Sequence, residues 1–221
     1  MPQHFPPNAN TFARWAAIGG TVFVILLVTV LTAYARVAKN QVGVPVPQPI
    51  NFPHNLHVTE LGLDCRYCHS TVEVSATANI PPTETCMTCH SQVRVGTAQI
   101  RGLWDPENPT QPNPEPIEWN RVHDLADFVY FNHSAHINKG IGCSSCHGRV
   151  DLMPGIWKAE PMSMGWCLEC HKAPEKYVRP REEVFNMAYE PPDNQLELGR
   201  SLVQAYHINE DKLPQCSTCH R

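Results

Sequence analysis

Apolar and polar residues show no long regular alternation along the chain. The clearest pattern is one long apolar stretch near its start. Trp15 to Ala35 is a run of 21 residues without a charge, enough for a helix to cross about 30 Å of hydrocarbon. A secretory signal peptide is the alternative, since residues 33–35 (AYA) look like a cleavage site, but signal cores usually have only about 7–15 apolar residues. We therefore predict a retained transmembrane anchor over residues 15–36.

Beyond this stretch, no run of alternating residues is long enough to predict a large sheet. Short helix-compatible segments alternate with proline-rich loops such as residues 105–116 (DPENPTQPNPEP), which favour irregular structure. We predict a cytoplasmic tail over residues 1–14, a proline-rich linker over 37–50 and one extracytoplasmic domain over 51–221.

The composition changes this picture in two ways. Twenty-one prolines among 221 residues restrict long helices and strands, so something other than side chains must fill much of the interior. The net charge of −4 and the lack of a basic run argue against nucleic acid as a partner.

All ten cysteines fall into five Cys-x-x-Cys-His motifs, the signature of c-type haem attachment. Cysteines three apart share one face of a helical turn, so both thiols reach the vinyl groups on one porphyrin edge, and the next residue offers its imidazole to the iron. We number these motifs first to fifth along the chain. The predicted attachment cysteines are Cys65 and Cys68, Cys86 and Cys89, Cys143 and Cys146, Cys167 and Cys170, and Cys216 and Cys219; the predicted proximal ligands are His69, His90, His147, His171 and His220.

Other uses of paired cysteines fit less well. A disulfide framework does not explain a histidine after every pair, zinc sites built from two pairs leave one pair over, and a thioredoxin-like site needs a single pair. We predict five covalently bound haem c groups and the fold of a multihaem cytochrome c: short helices and irregular loops around five haems, with one N-terminal transmembrane helix.

Covalent haem attachment also predicts the location. Because c-type haems are joined to protein on the outer face of bacterial membranes, we expect a single-pass protein of the cytoplasmic (inner) membrane with its haem domain in the periplasm.

A repeat supplies candidates for the distal ligands. Residues 52–69 (FPHNLHVTELGLDCRYCH) match residues 131–147 (FNHSAHINKGIGCSSCH) with a one-residue gap, which defines units of about 52–90 and 131–171 and a terminal motif at 216–220. Histidines three apart on a helical turn diverge, so each pair should bind two different irons. We predict that His54 and His57 serve the first and second motifs, and His133 and His136 the third and fourth.

The fifth iron has several candidate ligands. His123 lies just ahead of the second histidine pair, His207 lies nine residues before Cys216, and Met162 and Met164 are sulfur candidates whose ligation would raise the potential of that haem. The ligand count leaves no obvious vacant iron, so the residues favour electron relay over catalysis.

The Phe-x-His-x-x-His motif resembles that of the small class III multihaem cytochromes, where it supplies distal ligands to two haems. The anchor, the five motifs, EWNRVHDLADFVYFNHSAH and MGWCLECH together resemble the pentahaem subunit of alternative complex III. This resemblance favours His123 over His207 as the fifth distal ligand.

The resemblance also implies a function and partners. It implies an electron-transfer subunit, not itself an enzyme, that relays electrons from menaquinol oxidation in a respiratory or photosynthetic complex to a periplasmic acceptor or terminal oxidase. The implied partners are an iron–sulfur subunit like molybdopterin oxidoreductases, multi-helix quinol-binding membrane subunits, and a monohaem cytochrome c or copper protein as acceptor. The rival hypotheses are an anchored multihaem quinol dehydrogenase that feeds a periplasmic reductase, and a multihaem enzyme such as a nitrite reductase.

Overall fold

The computed structural model describes residue 6 and residues 8–220, except for the side chains of residues 36–40; His4 and most of the first seven residues of the predicted tail lie outside the described residues. Within residues 8–220 the secondary structure is helical, and β-structure is limited to isolated bridges such as Ile141 to Val178. The α-helices are α1 (Ala9–Asn40), α2 (Cys65–Cys68), α3 (Thr83–His90), α4 (His133–Ile137), α5 (Cys143–His147), α6 (Met164–Lys172), α7 (Gln195–Ala205) and α8 (Cys216–Cys219). A π-helix covers Asn55–Glu60, and 3-10 helices cover Ala98–Leu103, Val150–Leu152, Pro174–Lys176 and Arg181–Glu183.

Helix α1 contains the predicted anchor and extends past both of its ends. It has 32 residues, which at 1.5 Å per residue is about 48 Å. Its portion Ala9–Ala35 is long and apolar enough to span a membrane, and the side chains there are almost all exposed. The extension is natural because residues 9–14 and 36–40 contain no proline or glycine to end the helix.

The chain divides into two compact units, Met1–Val42 and Gly43–Arg221. In the second unit, apolar packing concentrates around the attachment motifs. One buried cluster consists of Val72, Ile137 and Val184, with Cys143 packed against it. Another consists of Met87, Ile100 and Leu103, with Cys86 packed against it.

The two repeats shape their histidine pairs differently. In the second repeat, α4 begins at His133 as an ordinary α-turn, and the side chain of Asn132 caps it by accepting a hydrogen bond from the Ala135 amide. In the first repeat, a π-helix follows His54. A π-turn holds one residue more than an α-turn, so this element accommodates the one-residue gap between the repeats.

Candidate haem-attachment sites

Each of the five motifs forms a helical turn, as the spacing predicts. The motifs lie at α2, the end of α3, α5, α6 and α8. All ten thiols are free, as thioether formation requires. Asp64 caps the first motif by accepting from the Arg66 amide at 2.8 Å, and Ser163 caps the fourth by accepting from the Trp166 amide at 3.3 Å. Side-chain caps of this kind stabilise turns too short to persist alone.

Three predicted pairs of axial histidines lie at nearly the same separation. The ring centres are 6.3 Å apart for His57 and His90, 6.4 Å for His133 and His147, and 6.2 Å for His136 and His171. Two imidazoles on opposite sides of one metal ion should have centres about 6 Å apart, because each metal–nitrogen bond is about 2 Å long. The second, third and fourth motifs thus hold imidazole pairs at the spacing that a haem iron needs.

The ring nitrogens are oriented for the same purpose. The Nδ1 atoms of seven histidines lie within hydrogen-bond distance of backbone carbonyls, at 2.7–3.1 Å: those of His57, His69, His90, His133, His136, His171 and His220. A carbonyl at Nδ1 selects the tautomer that carries its proton there. The Nε2 atom is then left with its lone pair for a metal.

The fourth predicted pair is His54 with His69, and one phenylalanine in each repeat packs against both histidines of that repeat. Phe52 packs against both histidines of its repeat, with ring centres 4.8 Å from His54 and 4.3 Å from His57. Phe131 does the same for His133 and His136, at 4.7 and 4.5 Å.

Burial and neighbouring charges act on the pKa of His54. Burial lowers it to about 4, and His69 is the leading charged neighbour. The Nδ1 atom of His54 is buried with no hydrogen-bond partner among the described residues. Unlike the seven histidines above, His54 therefore has no carbonyl that selects its tautomer, so its pair with His69 meets the arrangement only in part.

The candidates for the fifth iron are more dispersed. His123 lies against the third motif, with its ring centre 4.3 Å from that of His147 and its Nε2 atom 3.3 Å from the Nδ1 atom of His147. His207 is exposed, whereas His123 and the nine histidines of the motifs and pairs are half-buried. The ring of His220 packs on Phe128, with centres 5.7 Å apart.

The methionine candidates lie at the start of α6. Met164 is its first residue and is 63% exposed, and Met162 has a left-handed backbone with φ of 49°. The fifth distal ligand therefore stays a prediction with several candidates.

Burial favours the neutral form of three imidazoles near the third and fourth motifs. It lowers the pKa of His147 to about 3 and that of His123 to about 4, and it also lowers the pKa of His136. A neutral imidazole is the form that binds metal. Burial likewise raises the pKa of the Cys146 thiol to about 12.

Sequence reasoning missed the residue that braces the third motif. Arg179 is buried, and its guanidinium donates to the hydroxyls of Ser144 and Ser145 inside that motif, at 3.3 and 3.0 Å. It also stacks over the Tyr189 ring at 4.4 Å. Arg179 lies 32 residues past the motif, and no sequence pattern links a single arginine at that distance to it.

Comparison with known proteins agrees with this geometry. Residues 129–221 match the family model of cytochrome c7 and related cytochrome c. A stretch of 100 residues is 34% identical to the multihaem cytochrome c subunit of menaquinone reductase from Nitratidesulfovibrio vulgaris (strain Hildenborough). That stretch covers 45% of each chain, so the match spans about half the length of the curated relative.

The fold is that of a multihaem cytochrome c, helical and loop-rich, with one N-terminal apolar helix. The free cysteine pairs and the spaced imidazoles fit covalently bound haem c.

Proposed function

We propose that this chain is a membrane-anchored pentahaem electron-transfer subunit of a quinone-linked complex. It relays electrons from menaquinol oxidation to a periplasmic acceptor or terminal oxidase. The observation that carries the proposal is the set of three imidazole pairs with centres 6.2–6.4 Å apart. When both axial positions of an iron are filled by the protein, substrate has no position to bind, and the site suits electron transfer.

Each bound haem c would take up and release one electron between its ferric and ferrous states. The chain's own residues hold and tune that group. The cysteine pairs would form thioether bonds to it, the motif histidines would offer one imidazole to each iron, and His54, His57, His133 and His136 would offer a second imidazole to the irons of the first four motifs. Backbone carbonyls at the Nδ1 atoms of seven of these rings fix their orientation and strengthen their donation to the iron.

The organisation of the chain follows from this role. Residues 1–14 lie in the cytoplasm, residues 15–36 cross the inner membrane, residues 37–50 form a linker, and residues 51–221 hold five haems on the periplasmic side. The partners are an iron–sulfur subunit, multi-helix quinol-binding subunits, and a cytochrome or copper protein as acceptor. The resemblance to alternative complex III supports this partner set.

The full-length protein, matured in a bacterial host and purified in detergent, tests the proposal. We expect five haems per chain by haemochrome assay, low-spin signals in low-temperature EPR, and no carbon monoxide binding by the folded, reduced protein. A haem count other than five would refute the proposal at its base, and a carbon monoxide complex would indicate an open, catalytic iron.

In a second candidate function, electrons travel in the opposite direction, toward quinone. The curated relative is named as a subunit of a menaquinone reductase, which favours electron delivery toward quinone. Adding a menaquinol analogue to the oxidised complex, and a menaquinone analogue to the reduced complex, separates the two directions. We expect faster haem reduction by the quinol; faster haem oxidation by the quinone would support the second candidate, and haem reduction by the purified chain alone would instead support a quinol dehydrogenase.

A further inference from the structure

We infer that the five motifs form one linear series in the order second, first, third, fourth, fifth, so that the second and fifth motifs are the points where electrons enter and leave. The inference rests on the proposed function, since it assigns an order and two ends to the same relay. Four contacts between successive motifs carry it.

The first link joins the second and first motifs. Tyr67 and Thr88 are the third residues of these two motifs, and the Tyr67 hydroxyl lies 2.7 Å from the Thr88 hydroxyl. The two helical turns therefore face each other directly. The His54 and His57 pair, held by Phe52, belongs to the same two motifs.

The second link joins the first and third motifs. The loop after the first motif offers the Ala76 carbonyl to both the amide and the Nδ1 atom of His133, at 3.1 and 2.9 Å. Val72 of the same loop packs in the cluster with Ile137, and Cys143 of the third motif packs against that cluster. These contacts place the first motif beside the second repeat.

The third link joins the third and fourth motifs through α4. This helix spans only His133–Ile137. Its two histidines nevertheless lie with ring centres 6.4 and 6.2 Å from those of His147 and His171, the separation expected of two imidazoles on one iron. A helix of five residues keeps both rings within one turn of each other, so the two motifs that they serve must be adjacent.

The fourth link joins the fourth and fifth motifs. The Nδ1 atom of His171 lies 3.1 Å from the carbonyl oxygen of Leu213, three residues before Cys216. The proximal ligand of the fourth motif is therefore oriented by the segment that leads into the fifth.

The exposure of the cysteines supports the assignment of the two ends independently. Cys89 and Cys216 are exposed, and the other eight cysteines are half-buried. These two belong to the second and fifth motifs, the two that the contacts place at the ends. An electron comes from a reduced one-electron carrier at one terminal motif and another leaves to an oxidised carrier at the other, so no atoms are transferred and the chain returns to its starting state.

A matched pair of variants tests the order. His57 and His136 are equivalent positions of the two repeats, but the first serves a terminal motif and the second an internal one. We expect His57→Met to raise the potential of its own haem and to shift the potential of one other, and His136→Met to shift two others, in a redox titration followed by EPR. Equal numbers of shifted neighbours, or the reverse pattern, would overturn the order.

A measurement on the unmodified protein does not depend on the variants folding. A soluble dysprosium chelate relaxes the EPR signals of haems near the surface. In the unmodified protein we expect two of the five low-spin signals to relax strongly, and any other number would overturn the two exposed ends. Where the variants fold, the relaxed signals should include the one that His57→Met alters and exclude the one that His136→Met alters. Strong relaxation of the His136 haem would refute the assigned ends. If fewer than five low-spin haems are found, the proposed function itself fails; if five are found with the wrong neighbours, only the order fails.

Discussion

The docking of α7 gives a perturbation whose size can be worked out from the structure. Gly199 is buried where α7 meets the 3-10 turn Pro174–Lys176. A methyl group on Gly199 would lie 2.6 Å from the carbonyl carbon of Glu175 and closer still to its oxygen. Since carbon atoms pack at about 3.5–4.0 Å, Gly199→Ala must push α7 outward by about 1 Å or more.

Three terms set the change in the free energy of unfolding of this variant. Gln195 of α7 donates to the carbonyls of Glu175 and Val178 at 3.0 and 2.9 Å, and losing both bonds costs about 2 kcal/mol. Overpacking adds about 1–3 kcal/mol. The better helix propensity of alanine returns about 1 kcal/mol. We expect a net loss of about 2–4 kcal/mol.

Guanidinium unfolding of the full-length protein in detergent, followed by circular dichroism, measures this loss. The matched control is Gly165→Ala in α6, where an added methyl group meets no atom within 4 Å, so we expect no loss there. For a domain of this size, 2 kcal/mol also lowers Tm by roughly 4–8 °C. An unchanged or raised midpoint for Gly199→Ala would refute the close packing of α7 on this turn.

Two further predictions concern single contacts at the motifs. His123→Ala removes the acceptor beside the Nδ1 atom of His147, so we expect the potential of the third haem to rise in an EPR-monitored titration, and His123→Gln, which keeps an acceptor, to restore it in part. Loss of one low-spin haem in His123→Ala would instead identify His123 as an iron ligand. Asp64→Ala removes the cap of the first motif, and we expect a loss of about 1 kcal/mol at pH 7. A hydrogen bond from Arg66 lowers the pKa of Asp64, so its contribution is complete above the unfolded value near 3.9 and is lost as pH falls below that; a difference in denaturation midpoint that stays constant down to low pH would contradict this.

Local features of the sites could be predicted because covalent chemistry dictates residue type and spacing. Two thioether bonds and an adjacent imidazole require Cys-x-x-Cys-His on a helical turn, and all five motifs form such turns. The one-residue gap between the repeats was also visible. Its form, a π-helix at Asn55–Glu60, was not, because an insertion can be absorbed by a loop as readily as by a helix.

Several contacts that orient the motif histidines could not be predicted, because they use backbone carbonyls. Ala76, Leu213 and Phe128 orient His133, His171 and His220 through carbonyl oxygens. Every residue has such an oxygen, so residue type gives no signal. Close approaches such as that of Gly199 to Glu175 could not be predicted either, because a glycine in a helix does not by itself indicate close packing.

The proposed order of the motifs depends on these contacts, which residue type does not predict. A reading along the chain would place the second motif between the first and the third. The structure instead packs α4 of the second repeat on the loop that follows the first motif, through the Ala76 carbonyl and the Val72 side chain. The second motif contacts the first through the hydroxyls of Thr88 and Tyr67. Its exposed cysteine, Cys89, marks the proposed terminal electron-exchange site. The position of that site thus depends on packing at Ala76 and Val72, which are 13 and 17 residues earlier in the sequence.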